Sequence, residues 1–317
     1  MNIVFLDRDT IPAHIFVPRP SFEHQWEEYP LSTPAQSVER IKNADIVISN
    51  KAILNEEILA QATKLKLIAI AATGTNNVDL AYCAENGISV CNIQGYATQS
   101  VPEHVIAMLF ALRRNLMGYH QDIANGEWQK KKQFCFFTHP IGDVAGSTLA
   151  IIGSGALGKA TGALGQAIGM KVIYSERKGE HVCREGYVSF EEALETADVV
   201  SLHCPLTEAT TNLIGQSELS TMKPNAILLN AGRGGLVDEF ALIHALKSQQ
   251  IAGAGMDVFT QEPADESNPL IANMHLPNLL LTPHVAWGSD SAIKRLCEIL
   301  IDNLESYVAG NLANRVA

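Results

Sequence analysis

The sequence predicts an α/β protein built of two doubly wound, parallel-sheet domains with a cleft between them. Strand-like and helix-like segments alternate along all 317 residues, the order that parallel strands joined by crossover helices require. That length suits about two globular cores better than one. A glycine-rich turn at 153–158 restarts the alternation in the middle of the chain.

In the first domain the short β-branched or apolar runs 3–6, 46–49, 67–71 and 89–91 are expected strands. Segments 37–42, 55–62 and 80–85 are expected helices, the last stopped by Asn86-Gly87, since glycine closes a helix in the left-handed conformation. Residues 100–116 follow, with Val101, Val105, Met108, Leu109 and Leu112 at helical spacing. Pro102 fits a first turn, and Ser100 with Glu103 makes a partial capping box. This long apolar helix suits a connecting element, and its apolar surface fits an intramolecular core or a subunit interface alike. Residues 115–143, polar and carrying Lys130-Lys131-Lys132, read as a solvated surface excursion. Further strands are expected at 149–152, 172–174, 199–202, 226–229, 253–256 and 279–281. An amphipathic helix at 289–308 places Ile293, Leu296, Leu300, Ile301 and Leu304 on one side. The expected division is 1–99 with 287–317, and 100–286, the last helix returning to the first domain. Small-molecule sites favour clefts between such lobes.

Composition narrows the function. Apolar residues are 47% and charged residues 18% of the chain, the balance of an ordinary folded protein. A net charge of −11 speaks against nucleic acid and anionic membrane as partners. No uncharged apolar run reaches the roughly 18 residues that a spanning helix needs. The chain opens directly on a strand-like run, without signal-peptide features, so cytoplasm is the expected compartment. The six cysteines show no C-x-x-C spacing and the ten histidines no ligand pattern. Free thiols in a reducing compartment and no metal are expected, with His181 and Cys183 on the surface.

Gly153, Gly155 and Gly158 form G-x-G-x-x-G between an apolar run and a helix-like stretch, and Glu176 closes the next apolar run 18 residues later. Strand, turn, helix, strand and terminal acid in that order form a dinucleotide-binding, Rossmann-like fingerprint. Gly153 permits the tight turn, Gly155 lets the backbone approach a pyrophosphate, and Gly158 allows close helix–strand packing. The pyrophosphate meets the helix N-terminus. Glu176 can accept from both ribose hydroxyls and repel a 2′-phosphate, which favours NAD over NADP. Arg177 beside it tempers that preference.

Arg233, Glu262 and His284 each stand just past the end of a consecutive expected strand, where ligand crevices of open α/β sheets lie. Taken singly they could be a loop cation, a turn acid and a core histidine. Together, after a dinucleotide fingerprint, they suit carbonyl reduction beside a carboxylate. A guanidinium binds carboxylate or polarises a keto oxygen, and an imidazole exchanges the hydroxyl proton. A carboxylate on that imidazole fixes its tautomer and favours the imidazolium.

The glycine motif, the run Asn230-Ala231-Gly232-Arg233-Gly234-Gly235-Leu236-Val237-Asp238-Glu239, Gly255-Met256-Asp257-Val258-Phe259 before Glu262-Pro263, and Pro283-His284 together resemble the D-isomer-specific 2-hydroxyacid dehydrogenases. The likeness spans essentially the whole chain. Residues 72–79, 95–101 and Trp287 resemble the glycerate dehydrogenase (hydroxypyruvate reductase) branch. The resemblance implies that Arg233 binds substrate carboxylate and carbonyl, His284 is the acid/base and Glu262 tunes it. It implies that Ala156 and Leu157 lie over the pyrophosphate, and that Cys204, Ala231 and Asp257 stand around the adenine ribose and nicotinamide. It also implies that backbone amides of Thr73 and Gly74 meet the substrate carboxylate. Glu176 departs from the family's usual Asp, and Pro102 from a frequent Ala. Trp287 could wall a small pocket or pack between lobes.

The expected activity is NADH-linked reduction of a small 2-keto acid, hydroxypyruvate or glyoxylate, to the D-2-hydroxy acid, D-glycerate or glycolate. By resemblance the protein is expected to form a homodimer. A D-3-phosphoglycerate dehydrogenase and a non-catalytic, NAD-sensing corepressor-like protein are the alternatives, and formate oxidation is a more distant one.

Overall fold

A computed structural model describes residues 1–317. The chain divides into two compact units, Met1–Tyr96 with Gly288–Ala317, and Ala97–Trp287.

The first unit is a five-stranded sheet. Its strands are β1 (Asn2–Phe5), β2 (Gln25–Glu28), β3 (Ile46–Ser49), β4 (Leu67–Ile70) and β5 (Ser89–Cys91), in the order β2-β1-β3-β4-β5. Every pairing is parallel. β3 and β4 are buried at all four positions, as strands covered on both faces must be. Helix Pro34–Ile41 starts from a complete Thr33–Gln36 capping box, earlier than the apolar spacing predicts. Val4, Leu6, Val47, Ile68 and Ile70 anchor one core of this unit. The last helix, Asp290–Val308, is capped by Ser289, whose side chain accepts from the Ala292 amide. It belongs to this unit. Asn303 Nδ2 donates to Asn92 O (2.9 Å), and the Val316 amide donates to Val90 O (2.8 Å) beside β5.

The second unit is a seven-stranded parallel sheet of order β12-β11-β10-β9-β6-β7-β8. Its strands are β6 (Thr148–Ile152), β7 (Lys171–Ser175), β8 (Tyr187–Val188), β9 (Val199–Leu202), β10 (Ile227–Asn230), β11 (Gly253–Met256) and β12 (Leu279–Leu281). Helix Ser100–Arg113 belongs to the core of this unit. It packs on β10, β11 and helix Ala156–Ala167. Gly255 makes room for it, since a Cβ there would stand 3.1 Å from Met108 Sδ.

Residues 115–143 are not the plain polar excursion expected. They contain helices Leu116–Ala124 and Glu127–Lys131. They also expose large apolar side chains, among them Leu116, Met117, Phe134 (95%) and Phe137 (78%). The run Lys130-Lys131-Lys132 sits between Trp128 and Phe134, so the charge run masked an apolar surface. No helix is long and apolar enough to cross a membrane.

Candidate active site

Three glycines shape the loop after β6, each for a separate reason. Gly153 has φ +99°, and a Cβ on it would lie 2.5 Å from the Cys204 amide nitrogen at the end of β9. Gly158 sits in the first turn of helix Ala156–Ala167, where a Cβ would lie 2.0 Å from Gly153 O. Gly155 is different, because nothing stands within 4 Å of its Cβ direction. That opening leaves the backbone of the loop accessible, and the helix starting at Ala156 offers its first N–H groups and positive dipole end beside it. The loop lies between β6 and β9, where the sheet reverses its winding, the usual ligand crevice of such sheets. These residues fit a dinucleotide pyrophosphate. Cys204 borders the crevice from β9, half-buried, its thiol pushed up to about 11 by burial. Ala231, just past β10, is also half-buried.

Glu176 ends β7, as the acid of a ribose site must, but it is not unpaired. Arg184 grips it in a fork, Nε to Oε2 at 2.7 Å and Nη2 to Oε1 at 2.8 Å. The amides of Arg177 (3.0 Å) and Arg184 (3.3 Å) complete its shell. The Arg184 hydrogen bonds hold the Glu176 carboxyl down at about 2, because they favour the ionised form. Arg177, which the sequence suggested as the neighbouring cation, contributes its backbone N–H here. Arg184 was missed because its approach depends on the course of the turn between β7 and β8, which spacing does not encode.

His284 and Glu262 meet. His284 Nδ1 lies 2.7 Å from Glu262 Oε2, and the Phe259 amide donates to Glu262 Oε1 at 3.0 Å. With Nδ1 bonded to the carboxylate, Nε2 is the ring nitrogen left for a reacting oxygen. His284 has φ +55°, a left-handed conformation that a non-glycine residue keeps only when its surroundings impose it. Asp257 supplies that constraint. Its carboxylate is sealed from solvent and accepts from Thr282 Oγ1 (2.6 Å) and the amides of Val285 and Ala286 (both 2.9 Å). Its carbonyl takes the His284 amide at 2.7 Å. Asp257, which the resemblance places around the nucleotide, also holds the turn that carries His284. Trp287 Nε1 donates to the His284 carbonyl at 3.0 Å and closes the same turn.

Arg233 follows β10, the strand beside β11. Asn230 braces its loop by donating from Nδ2 to Arg233 O (2.9 Å) and accepting the Gly232 amide at Oδ1 (3.0 Å). The neighbouring Gly234 lies against the Glu262 loop so tightly that a Cβ would come 1.7 Å from Phe259 O. Backbone packing therefore couples the Arg233 loop to the loop of Glu262. The guanidinium itself donates from Nη1 to Gly232 O at 2.7 Å. In the first unit, Thr73 is exposed and Gly74 half-buried near the start of the loop after β4. Thr73 is pinned through Oγ1 to Ile93 O and through its carbonyl to Asn92 Nδ2, each at 2.7 Å.

The model of the D-isomer specific 2-hydroxyacid dehydrogenase NAD binding domain matches residues 106–286. The chain is 53% identical over 309 residues to a Haemophilus influenzae protein provisionally assigned as a 2-hydroxyacid dehydrogenase, covering 97% of this chain and 98% of that one. It is 47% identical over 316 residues to a glycerate dehydrogenase of Methylorubrum extorquens, covering 99% and 98%. Among solved structures it is similar to a Thermus thermophilus protein, 31% identical, with a TM-score of 0.85 over 100% of both chains.

Proposed function

The chain belongs to the D-isomer-specific 2-hydroxyacid dehydrogenases, and from that premise we propose that it reduces hydroxypyruvate or glyoxylate to D-glycerate or glycolate. It is an NAD-binding oxidoreductase with glycerate dehydrogenase relatives. The 2.7 Å pairing of His284 Nδ1 with Glu262 carries the proposal. That bond fixes the ring so that Nε2 can hand a proton to a keto oxygen, and the carboxylate stabilises the imidazolium that gives it.

In this reading Gly153, Gly155, Ala156, Leu157 and Gly158 hold the pyrophosphate, and Glu176, Cys204 and Ala231 border the adenosine and nicotinamide. The nicotinamide, when bound, supplies the hydride. Arg233 orients the substrate carboxylate and polarises its carbonyl, and Thr73 and Gly74 are the substrate-binding positions of the first unit. Asp257 and Trp287 keep the His284 turn in place. The unit built around β1 is the substrate domain. Each turnover adds one hydride at carbon and one proton at oxygen.

The test follows NADH absorbance with hydroxypyruvate, glyoxylate, pyruvate and 3-phosphohydroxypyruvate. Turnover is expected with the first two. Preference for the phosphorylated acid would replace the proposal with a phosphoglycerate dehydrogenase, and tight NADH binding without turnover would replace it with a sensor. His284→Gln should lower kcat by about 10²- to 10⁴-fold while leaving NADH affinity intact; near-normal turnover removes His284 from the mechanism. We further propose a homodimer, supported by the apolar side chains exposed between Leu116 and Ile141. Sedimentation at monomer mass would refute it.

A further inference from the structure

An unpaired acid at the end of β7 excludes a 2′-phosphate by charge. Glu176 is in a different state. It accepts four hydrogen bonds, from Arg177 N, Arg184 N, Arg184 Nε and Arg184 Nη2. A carboxylate offers about four lone-pair sites, so its acceptor capacity is filled within the protein. Its charge is cancelled by the guanidinium 2.7 Å away.

Arg184 is itself held in position. Its guanidinium lies 4.0 Å from the centre of the Tyr187 ring, and Tyr187 Oη donates to Ser154 Oγ at 2.5 Å. Ser154 is the residue between Gly153 and Gly155, so the arginine is linked through one aromatic ring to the pyrophosphate loop. Only Nε and Nη2 of Arg184 are engaged with Glu176. Nη1 makes no hydrogen bond within the protein, and the side chain is 56% exposed. A planar fork with donors left on its outer edge matches a phosphate. Arg177 adds a second, exposed cation next to the same carboxylate. Lys178 does not, being paired with Glu218 at 2.9 Å.

We propose that Arg184 sets cofactor choice: it neutralises Glu176 and presents its outer edge to a 2′-phosphate, so that the chain takes NADPH as well as NADH. This rests on the dinucleotide site described above. A ribose without the phosphate is accommodated when the fork yields one Glu176 oxygen to a hydroxyl. A phosphate instead receives the Arg184 donors while the fork stays closed.

Calorimetric titration of the full chain with NADH, NADPH, ADP and adenosine 2′,5′-bisphosphate tests this without any turnover. Wild-type affinities for the two dinucleotides should lie within about tenfold of each other, the scale of one charged hydrogen bond. R184A should shift the NADPH-to-NADH affinity ratio by at least about tenfold towards NADH, with NADH binding retained. R184K, which keeps the charge but not the fork, should fall between them. E176Q should strengthen binding of the bisphosphate. A wild-type protein that rejects NADPH by more than about a hundredfold, or an R184A ratio equal to wild type, overturns the proposal. Loss of both dinucleotides in R184A also overturns it, by assigning the arginine a purely structural task. A wild-type protein that binds neither dinucleotide fails the underlying site, a separate result from altered selectivity.

Discussion

In the first unit β1 lies between β2 and β3, and in the second β6 lies between β7 and β9, so both sheets reverse their winding beside their first strand. The crevices made by this shared topology are used in opposite ways. Past β1, the buried Asp7 carboxylate accepts the amides of Asn50 (2.9 Å), Lys51 (2.5 Å) and Ala52 (2.8 Å) beyond β3. The chain has filled that crevice with an anion of its own. Past β6, Gly155 leaves the backbone uncovered, and the helix behind it presents N–H groups to an anion from outside. Topology supplies the crevice; the side chain after the first strand decides whether it is a joint or a binding site.

Substitutions at the two crevices should therefore have opposite consequences. The largest effect is expected from Gly158→Ala, whose methyl would meet Gly153 O at 2.0 Å. It should abolish NADH binding and destabilise the second unit by about 4 kcal/mol, leaving hydrogen exchange of β1, β3 and β4 unchanged. Tight NADH binding by this variant would mean that the loop can be rebuilt around a side chain. Next, Asp7→Ala strips the buried amides of Asn50, Lys51 and Ala52 of their acceptor and should destabilise the first unit by about 3 kcal/mol. Its NADH affinity should match wild type, and a weakened affinity would show that the first crevice is not merely structural.

The smallest expected effect concerns pH. His203 borders the glycine loop, hydrogen-bonded to Ser201 at 2.9 Å, and burial lowers its pKa to about 4. An unfolded histidine titrates near 6.5, so between about 6.5 and 4 the unfolded chain binds more protons than the folded one. The stability held by neutral His203 is complete above that window and is lost as pH falls through it. His203→Asn should flatten the acid slope of the second unit by about 1 kcal/mol, discounted for the ring's remaining solvent contact. An unaltered slope would place the titrating group elsewhere.

Most of this architecture can be read from sequence, because parallel strands buried on both faces leave apolar runs such as Ile46–Ser49 and Val199–Leu202. The strands that escape are informative. β2 is Gln-Trp-Glu-Glu with three exposed positions, an edge strand whose side chains follow solvent and not the core. β8 is two residues long, too short for any period. Helices such as Phe190–Thr196 and Glu239–Lys247 lie between expected strands without being picked out, their surfaces set by tertiary packing. Within the site, the turn at Gly153, the close packing at Gly158 and the Glu262–His284 pair were legible because each lies at a fixed offset from a strand end. The support beneath them was not. Asp257 reads as one more polar residue after a strand, and its burial under residues 282–286 depends on neighbouring β11 and β12. Arg184 reaches Glu176 only through the fold of an irregular turn.

The segments that build the first unit flank the second on both sides, since the Val316 amide bonds to Val90 O and Asn303 to Asn92 O. A ribosome therefore finishes the nucleotide-binding unit, residues 97–287, while residues 1–96 still await the helix that completes their fold. Translation enters one domain, completes the other, and then returns. A lesion at Val316 would injure a strand made more than two hundred residues before it.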